Sequence, residues 1–389
     1  MLKFFFFCFL FLGVYVYVIY PAIIIGLASL VQTCRDLKYS IPKRNRRTDQ
    51  PDGSDLPDVS IVISVFNEEA VIEERIRNCL SLDYPREKLE IVIASDGSTD
   101  RTTTIVEGFA GDGVRLLAYR ERSGKAAVLN RAIPESRGSI LLLTDSNTMY
   151  EPGAVLKLVR HFADPSVGGV CGNLVVTPFD ETTEEESLYW KFENVLKLME
   201  SRLDMTLGAN GGIYALRREA FTPIPEGTIV DDFIVLLNVR TLGFKTIFDP
   251  EAVAFERAAP SLEDEYKRKV RIGAGDFQAI GLARRFLNPL TGPVSFSFWS
   301  HKVLRWLMPF FMIGLLLTNL ALAGDGVLYS VALLLQLVFY SLSVIGIFYR
   351  GNPFLKIPYY FVSMNVALFH GFIRHVRRAQ KGAWERTPR

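Results

Sequence analysis

Three short polar runs interrupt the apolar segments of this chain where phosphate and proton-transfer chemistry could be done: Ser95-Asp96-Gly97-Ser98-Thr99-Asp100, Thr144-Asp145-Ser146-Asn147 and Val230-Asp231-Asp232-Phe233. Asp145 and Asn147 are hard oxygen ligands one residue apart, suited to Mg²⁺ or Mn²⁺ held on a diphosphate. The ordinary reading of that run is an Asp/Ser/Asn turn after a strand. Asp96 either hydrogen-bonds a nucleoside base or ribose, as acidic residues at strand ends do, or is the carboxylate of an Asp-Gly turn. Asp231 and Asp232 open a predicted helix. There they complement the helix dipole for about 0.3–1 kcal/mol each, or one of them is a general base that accepts a hydroxyl proton. Gly124-Lys125 falls short of the full phosphate-loop pattern. Its lysine, at a helix start, meets a diphosphate or is simply solvated. Gly208-Ala209-Asn210-Gly211-Gly212 either allows a ligand close to the backbone or is a tight loop. Arg268 and Arg271, one helical turn apart, either offset the charge of a leaving diphosphate or form the basic face of a helix at a membrane surface.

These residues need a scaffold that brings them together, and the apolar pattern supplies one. Val59–Val65, Leu89–Ala94, Val114–Tyr119 and Ile140–Leu143 read as strands, the last an unbroken apolar run of the kind buried on both faces. Helices fall between them. The first has Ile72, Ile76, Cys79 and Leu80 on one face and Asn67 as its expected cap. The second is capped by Ser98, Thr99 or Asp100. The third opens at Arg122-Ser123-Gly124-Lys125. Strand–helix alternation of this kind predicts an α/β fold with a doubly wound sheet. Ligands bind such sheets beyond the carboxyl ends of the strands, where the polar runs lie. Further on, Val167–Thr177 reads as one or two strands and Thr182–Arg202 as an amphipathic helix. Val230–Leu237 reads as another helix and Thr246–Phe255 as a last strand.

Apolar segments flank this region. Residues 4–31 are too long for a signal-peptide core and long enough to span a bilayer. Arg35, Lys38, Lys43, Arg44, Arg46 and Arg47 follow them, against a lone Lys3 in front, so the positive-inside rule puts the next segment in the cytoplasm. The expected organisation is a first membrane helix at 4–31, a basic cytoplasmic linker at 32–58, a catalytic domain at 59–285 and an interfacial linker at 286–303. A transmembrane hairpin at 306–348, a third apolar segment at 354–373 (spanning or re-entrant) and a basic tail at 374–389 complete it. The basic tail favours the re-entrant or interfacial reading of the third segment. A net charge of +2 gives no nucleic-acid footprint. The four cysteines show no metal-site spacing and suit a reduced, cytosolic domain.

Taken together, the motifs resemble the membrane-embedded polysaccharide-synthase branch of the family-two glycosyltransferases, which have the GT-A fold. Ser64-Val65-Phe66-Asn67-Glu68 is similar to the family's P-A-Y-N-E, with Ser64 in place of Pro. Ser95 to Asp100 resembles D-G-S-x-D, Gly124 to Asn130 resembles G-K-x-x-A-L-N, and Asp145-Ser146-Asn147 stands at the D-x-D metal site with Asn147 in place of the second Asp. Asp231-Asp232 matches the E-D pair, whose second member is the family's catalytic base. Lys381 to Thr387 is similar to a Trp-containing gating segment of some synthases. The resemblance implies an inverting transfer from a nucleoside-diphosphate sugar, most often a UDP-sugar, to a lipid-linked or glycan acceptor at the membrane. Polysaccharide-export or assembly proteins are the implied partners.

On this resemblance Asp232, with Arg268 and Arg271, is catalytic. Asn67, Glu68, Asp96, Lys125 and Asp145 bind the nucleotide sugar. Gly208, Asn210, Gly211 and Asp231 face the acceptor, and Asp145 with Asn147 holds Mg²⁺ or Mn²⁺. The chain departs from the processive synthases at their Q-x-x-R-W motif, where it has Arg268, Arg271 and Ile272 without the tryptophan. Transfer of one or a few sugars is then as well supported as polymerisation. The rival readings are a transport component with a nucleotide-binding domain, a membrane-bound nucleotidyltransferase, and an inactive scaffold of a polysaccharide assembly complex.

Overall fold

In the computed structural model, which describes residues 1–40, 56–177, 184–209, 211–258, 261–349 and 352–380, the chain forms two compact units. One contains residues 27–177 and 190–258, the other residues 1–26 and 259–380. Asn210, most of the basic linker and the Lys381–Thr387 segment lie outside the described residues.

The first described element is a helix in three stretches, Leu2–Val14, Tyr15–Ile19 with π geometry and Tyr20–Ser40, together α1. The sheet unit follows. Its strands are β1 (Val59–Val65), β2 (Leu89–Asp96), β3 (Val114–Tyr119), β4 (Ile140–Thr144), β5 (Thr148–Tyr150), β6 (Val167–Thr177), β7 (Tyr214–Arg217) and β8 (Lys245–Arg257). Its helices are α2 (Ile72–Leu80), α3 (Thr102–Glu107), α4 (Lys125–Glu135), α5 (Ala154–Val159), α6 (Glu184–Arg202) and α7 (Asp231–Thr241). The strands form one eight-stranded sheet in the order β3-β2-β1-β4-β7-β6-β8-β5. The first four are parallel to one another. β7 then enters antiparallel to both β4 and β6, which makes the sheet mixed.

The apolar runs are unbroken because both faces of the sheet are covered. On β4, Ile140 and Leu142 pack with Ile72 and Ile76 of α2 and Val155 and Leu158 of α5. Leu141 and Leu143 pack on the other side with Val128, Leu129 and Ile133 of α4 and Val235 and Leu236 of α7. Each such fully buried side chain contributes about 1.5–3 kcal/mol. The strands run along the predicted segments, with β2 continuing two residues further so that Asp96 is its last residue. β5, α5 and β7 are additions to the predicted pattern: three, six and four residues long, they are too short to show a period.

The second unit holds the apolar helices. They are α8 (Leu262–Leu282), α9 (Pro293–Ser297, running on as a π-turn through Phe298–Val303 and Leu304–Trp306), α10 (Met308–Leu322), α11 (Val327–Phe348) and α12 (Pro353–Val376). Residues 261–282, expected to close the catalytic domain, cluster with these helices. Among the described residues two helices are long and apolar enough to cross a membrane, Leu2–Leu37 and Val327–Phe348. α10 has 15 residues. At 1.5 Å per residue that is roughly 22 Å, short of the ~30 Å hydrocarbon core. It meets the preceding Pro293–Trp306 helix at a bend of 59°. α12 is a helix of 24 residues with Pro358 inside it.

Candidate active site

The site is built where β1, β2 and β4 end and β7, α4 and α7 begin. At the end of β1, Asn67 adopts a left-handed φ of 54°. Its amide is not the cap of α2, whose first residue, Ile72, follows Val71 without a side-chain cap. Asn67 Oδ1 instead accepts the Thr99 N–H at 2.8 Å, and the Asn67 backbone N–H donates to Ser98 Oγ at 3.1 Å. The backbone N–H of Glu68, a buried residue, donates to Thr102 Oγ1 at 2.8 Å. Asp100 accepts the Thr102 N–H at 2.9 Å just ahead of α3, but the N-cap position is Arg101 and carries no side-chain cap, unlike the Ser98, Thr99 or Asp100 cap expected. These bonds tie the loop after β1 to the loop after β2.

Asp96 is buried, and both its oxygens are engaged. Oδ1 accepts the Ser123 N–H at 2.7 Å and the Ser123 hydroxyl at 3.2 Å, and Oδ2 accepts the Gly124 N–H at 2.8 Å. Asp96 therefore clamps the turn that starts α4, and so positions the next residue, Lys125.

Lys125 Nζ lies 2.8 Å from Asp145 Oδ1 and 3.1 Å from Asp231 Oδ2. Burial alone would depress its pKa. The charges of Asp145 and Asp231 override burial and hold the ammonium well above its ordinary range. Lys125 is thus a bridge between the β4 loop and the start of α7.

Asp232 is half-buried on the first turn of α7, and its Oδ2 accepts the Gly211 N–H at 2.6 Å. Burial, then the neighbouring Asp231 charge, push its pKa from 3.8 up to about 6, against the opposing pull of Lys125. Gly211 stands between two carboxylates. A Cβ there would lie 3.1 Å from Asp145 Oδ2 and 3.6 Å from Asp232 Oδ2, so any side chain would fill the space they face. Gly208 is packed against Phe233 of α7, where a Cβ would come within 2.5 Å of the ring.

Asn147 donates from Nδ2 to Glu256 at 2.9 Å, while its Oδ1 is buried with no hydrogen-bond partner. An unpartnered buried amide oxygen two residues beyond the Asp145 carboxylate fits an oxygen-loving divalent ion. Among the described residues no three His, Cys, Asp or Glu groups gather to hold a metal. Such an ion would complete its shell on substrate phosphate and water, as Mg²⁺ commonly does.

Two residues absent from the sequence expectations support this loop. Arg75 of α2 is fully buried. It donates to Asn78 Oδ1 at 2.5 Å and to Thr144 Oγ1 at 3.3 Å, and lies 4.5 Å over the Tyr150 ring. Thr144 Oγ1 and the Tyr150 hydroxyl both donate to the Gly212 carbonyl, at 2.7 and 3.1 Å. Arg75 therefore braces both ends of the Thr144–Tyr150 loop and, through them, the glycine turn. Its signal was its place on the apolar face of α2, three residues from Ile72 and four from Cys79. Tyr214 of β7 is also fully buried, with an unpartnered hydroxyl. Burial first, and Asp231 second, raise its pKa well above the ordinary value, so it stays a neutral phenol beside the carboxylates. Its signal was a polar tip inside the apolar run Ile213–Leu216.

The sheet unit thus gathers Lys125, Asp145, Gly211, Asp231 and Asp232 around one centre, with Asn67, Glu68 and Asp96 in the loops that shape it. Arg268 and Arg271 belong to α8, in the second unit, where Arg268 Nε donates to Glu265 at 2.8 Å.

A family model described as glycosyl transferase family 2 matches residues 60–222. The chain is 26% identical over 266 residues to an N-acetylglucosaminyltransferase of Azorhizobium caulinodans, covering 64% of this chain and 66% of that protein. It is 23% identical over 260 residues to a poly-beta-1,6-N-acetyl-D-glucosamine synthase of Staphylococcus aureus, covering 63% and 60%. It thus spans less than two thirds of the length of either relative. Among solved structures, the mannosyltransferase PcManGT of Pyrobaculum calidifontis, in complex with GDP-Man and Mn²⁺, superposes with a TM-score of 0.68 at 25% identity. That match covers 92% of this chain and 99% of the other.

Proposed function

We propose, from the premise that residues 60–222 are a family 2 glycosyl transferase domain of GT-A fold, that this chain transfers a sugar with inversion from a nucleoside-diphosphate sugar to a lipid-linked or glycan acceptor at a membrane. The observation that carries the reading is Asp232. It is a carboxylate oriented by the Gly211 N–H, raised to about 6 and facing the space left by a glycine. A base with that pKa is ionised at neutral pH yet still basic enough to take a proton. Asp232 accepts the proton of the acceptor hydroxyl while that oxygen bonds to the anomeric carbon. The bond from that carbon to the diphosphate breaks, and the nucleoside diphosphate leaves with the electron pair. One displacement inverts the anomeric centre.

Asp145 and Asn147 would hold Mg²⁺ or Mn²⁺. When bound, that ion offsets the charge developing on the diphosphate. The Mn²⁺ in the mannosyltransferase supports this assignment. Lys125 now neutralises Asp145 and Asp231 and can exchange Asp145 for a donor phosphate. Arg268 and Arg271 remain the candidates for stabilising the leaving group, Arg268 by exchanging Glu265 for phosphate. Asn67, Glu68 and Asp96 shape the nucleotide side, and Gly208, Gly211 and Asp231 the acceptor side. Asn210, also assigned there, lies outside the described residues.

The two relatives named above support an N-acetylglucosaminyl donor on UDP; the mannosyltransferase supports testing GDP-mannose beside it. The helices Leu2–Leu37 and Val327–Phe348 support membrane insertion, and the basic run after the first of them supports a cytoplasmic catalytic unit. The synthase relative favours a role in polysaccharide synthesis, with export or assembly proteins as partners.

The test is nucleoside-diphosphate release by protein held in nanodiscs, with UDP-N-acetylglucosamine and GDP-mannose in turn, Mg²⁺ or Mn²⁺, and a membrane-lipid extract as acceptor. Metal-dependent release from one donor, with sugar appearing on a lipid or glycan, is expected. Binding of both donors without release from either would favour a nucleotide-sugar-binding scaffold.

A further inference from the structure

We propose that the groove between α8 and α12 binds the phosphate group of an anionic membrane lipid. The two helices approach closely at a glycine pair. A Cβ on Gly371 would lie 2.7 Å from the backbone of Gly273 and Ala274, and one on Gly273 would lie 3.2 Å from the Leu368 Cα. Such contact fixes the crossing of two helices as small residues do in membranes. Beside the crossing the helices enclose a pocket of about 240 Å³, lined by Tyr266, Lys267, Val270, His370, Ile373 and Arg374. That volume suits a phosphate group with its first ester carbons.

The lining matches that ligand in charge and in depth. Lys267 and Arg374 bring two cations from different helices. The Tyr266 hydroxyl lies 2.6 Å from His370 Nδ1. With Tyr266 donating, a neutral His370 carries its ring proton on Nε2, which makes a further donor. Val270 and Ile373 supply an apolar wall for the hydrocarbon next to the phosphate. On α12 the apolar stretch 357–373 gives way to Arg374, His375, Arg377 and Arg378, the charge pattern of a helix reaching the headgroup level. Basic pockets between helices at that level are where lipid phosphates are held.

The cations have partners that a phosphate can replace. Lys267 pairs with Glu263 at 2.8 Å, but both side chains are more than half exposed, so the pair is weak. Arg374 Nη1 donates to the neutral Gln380 at 3.2 Å. Glu263 is therefore the competitor for the site, and its removal is diagnostic.

The experiment is native mass spectrometry of the full chain released from nanodiscs of equal phosphatidylglycerol and phosphatidylcholine. The variants are Lys267→Gln with Arg374→Gln, and Glu263→Gln. Wild type is expected to retain phosphatidylglycerol over phosphatidylcholine, the double variant to lose that preference by roughly tenfold, and Glu263→Gln to strengthen it. Equal retention by wild type and double variant would overturn the proposal. If the double variant does not fold, Glu263→Gln decides, and an unchanged preference there is equally fatal. A last arm adds millimolar inorganic phosphate to wild type. Displacement of the lipid would identify the site as one for free phosphate and end the lipid assignment.

Discussion

The two halves of the sheet treat their carboxylates differently. In the parallel half, Asp96 accepts two backbone N–H groups and a hydroxyl, a full complement for a buried anion. In the mixed half, Asp232 accepts the Gly211 N–H and a hydrogen bond from the Phe233 backbone, yet burial and the Asp231 charge beside it raise its pKa to about 6. A carboxylate whose oxygens are both tied to one turn holds loops in place; one buried beside a like charge keeps a usable affinity for a proton. On the proposed function, the parallel half is the frame and the mixed half carries the reactive group. If so, substitutions in the two halves should separate activity from stability.

The sharpest break in the comparison is Asp232→Asn. It keeps the shape, removes the base, and should lower kcat by about 10²–10⁴-fold while leaving donor binding near wild type. Stability should move the other way. Folding raises the Asp232 pKa from 3.8 to about 6, so the ionised carboxylate costs stability once pH rises through 6. Asparagine cannot ionise, and the variant's melting temperature at pH 7 should equal or exceed wild type. A fall in both activity and melting temperature would make Asp232 a structural residue like Asp96.

Asn147→Ala should come next. It removes an amide oxygen with no partner in the protein and should weaken metal activation by about 10–100-fold, read by Mn²⁺ titration of nucleoside-diphosphate release. Unchanged metal dependence would leave Asp145 alone as the metal ligand. Asp96→Asn is expected to act mainly through the frame. An amide in place of that carboxylate turns one accepting oxygen into a donor facing an N–H, a loss of about 1–3 kcal/mol on denaturant unfolding. Lys125 would lose its fixed position with the turn, so a smaller fall in activity should follow.

How far the sequence could be read divides along the same line. β1, β2 and β4 were legible because parallel strands covered on both faces are largely apolar runs, and their polar ends marked Asp96 and Asp145. The antiparallel return was not. β7 has four residues and β5 three, and both are specified by partners far away in sequence. That Asp96 clamps the Gly124 turn was hidden for the same reason: two motifs 28 residues apart become one device only when β2 and α4 meet. Arg75 was hidden by convention, because an arginine inside a helix is ordinarily assigned to solvent. The apolar ends were legible in kind but not in extent. Length and hydropathy mark α1 and α11, whereas the break between α9 and α10 turns on local geometry at Trp306–Met308.

The smallest effect tests the origin of the raised pKa. Asp232 must be ionised to act, so kcat/KM should fall tenfold per pH unit below about 6 and level off above it. Asp231 raises that pKa by like-charge repulsion and Lys125 lowers it. Asp231→Asn should therefore move the acid limb to lower pH and raise the rate at pH 5 relative to wild type. At pH 7 the base is already mostly ionised, and little should change. Lys125→Met should move the limb the other way. That variant also leaves the buried Asp231 without its cation, at a cost of about 3–5 kcal/mol, so Asp231→Asn is the cleaner measurement. A limb that stays in place when Asp231 is neutralised would mean that burial alone sets the Asp232 proton affinity. The contrast between the two halves would then rest on desolvation rather than on the paired charges at the start of α7.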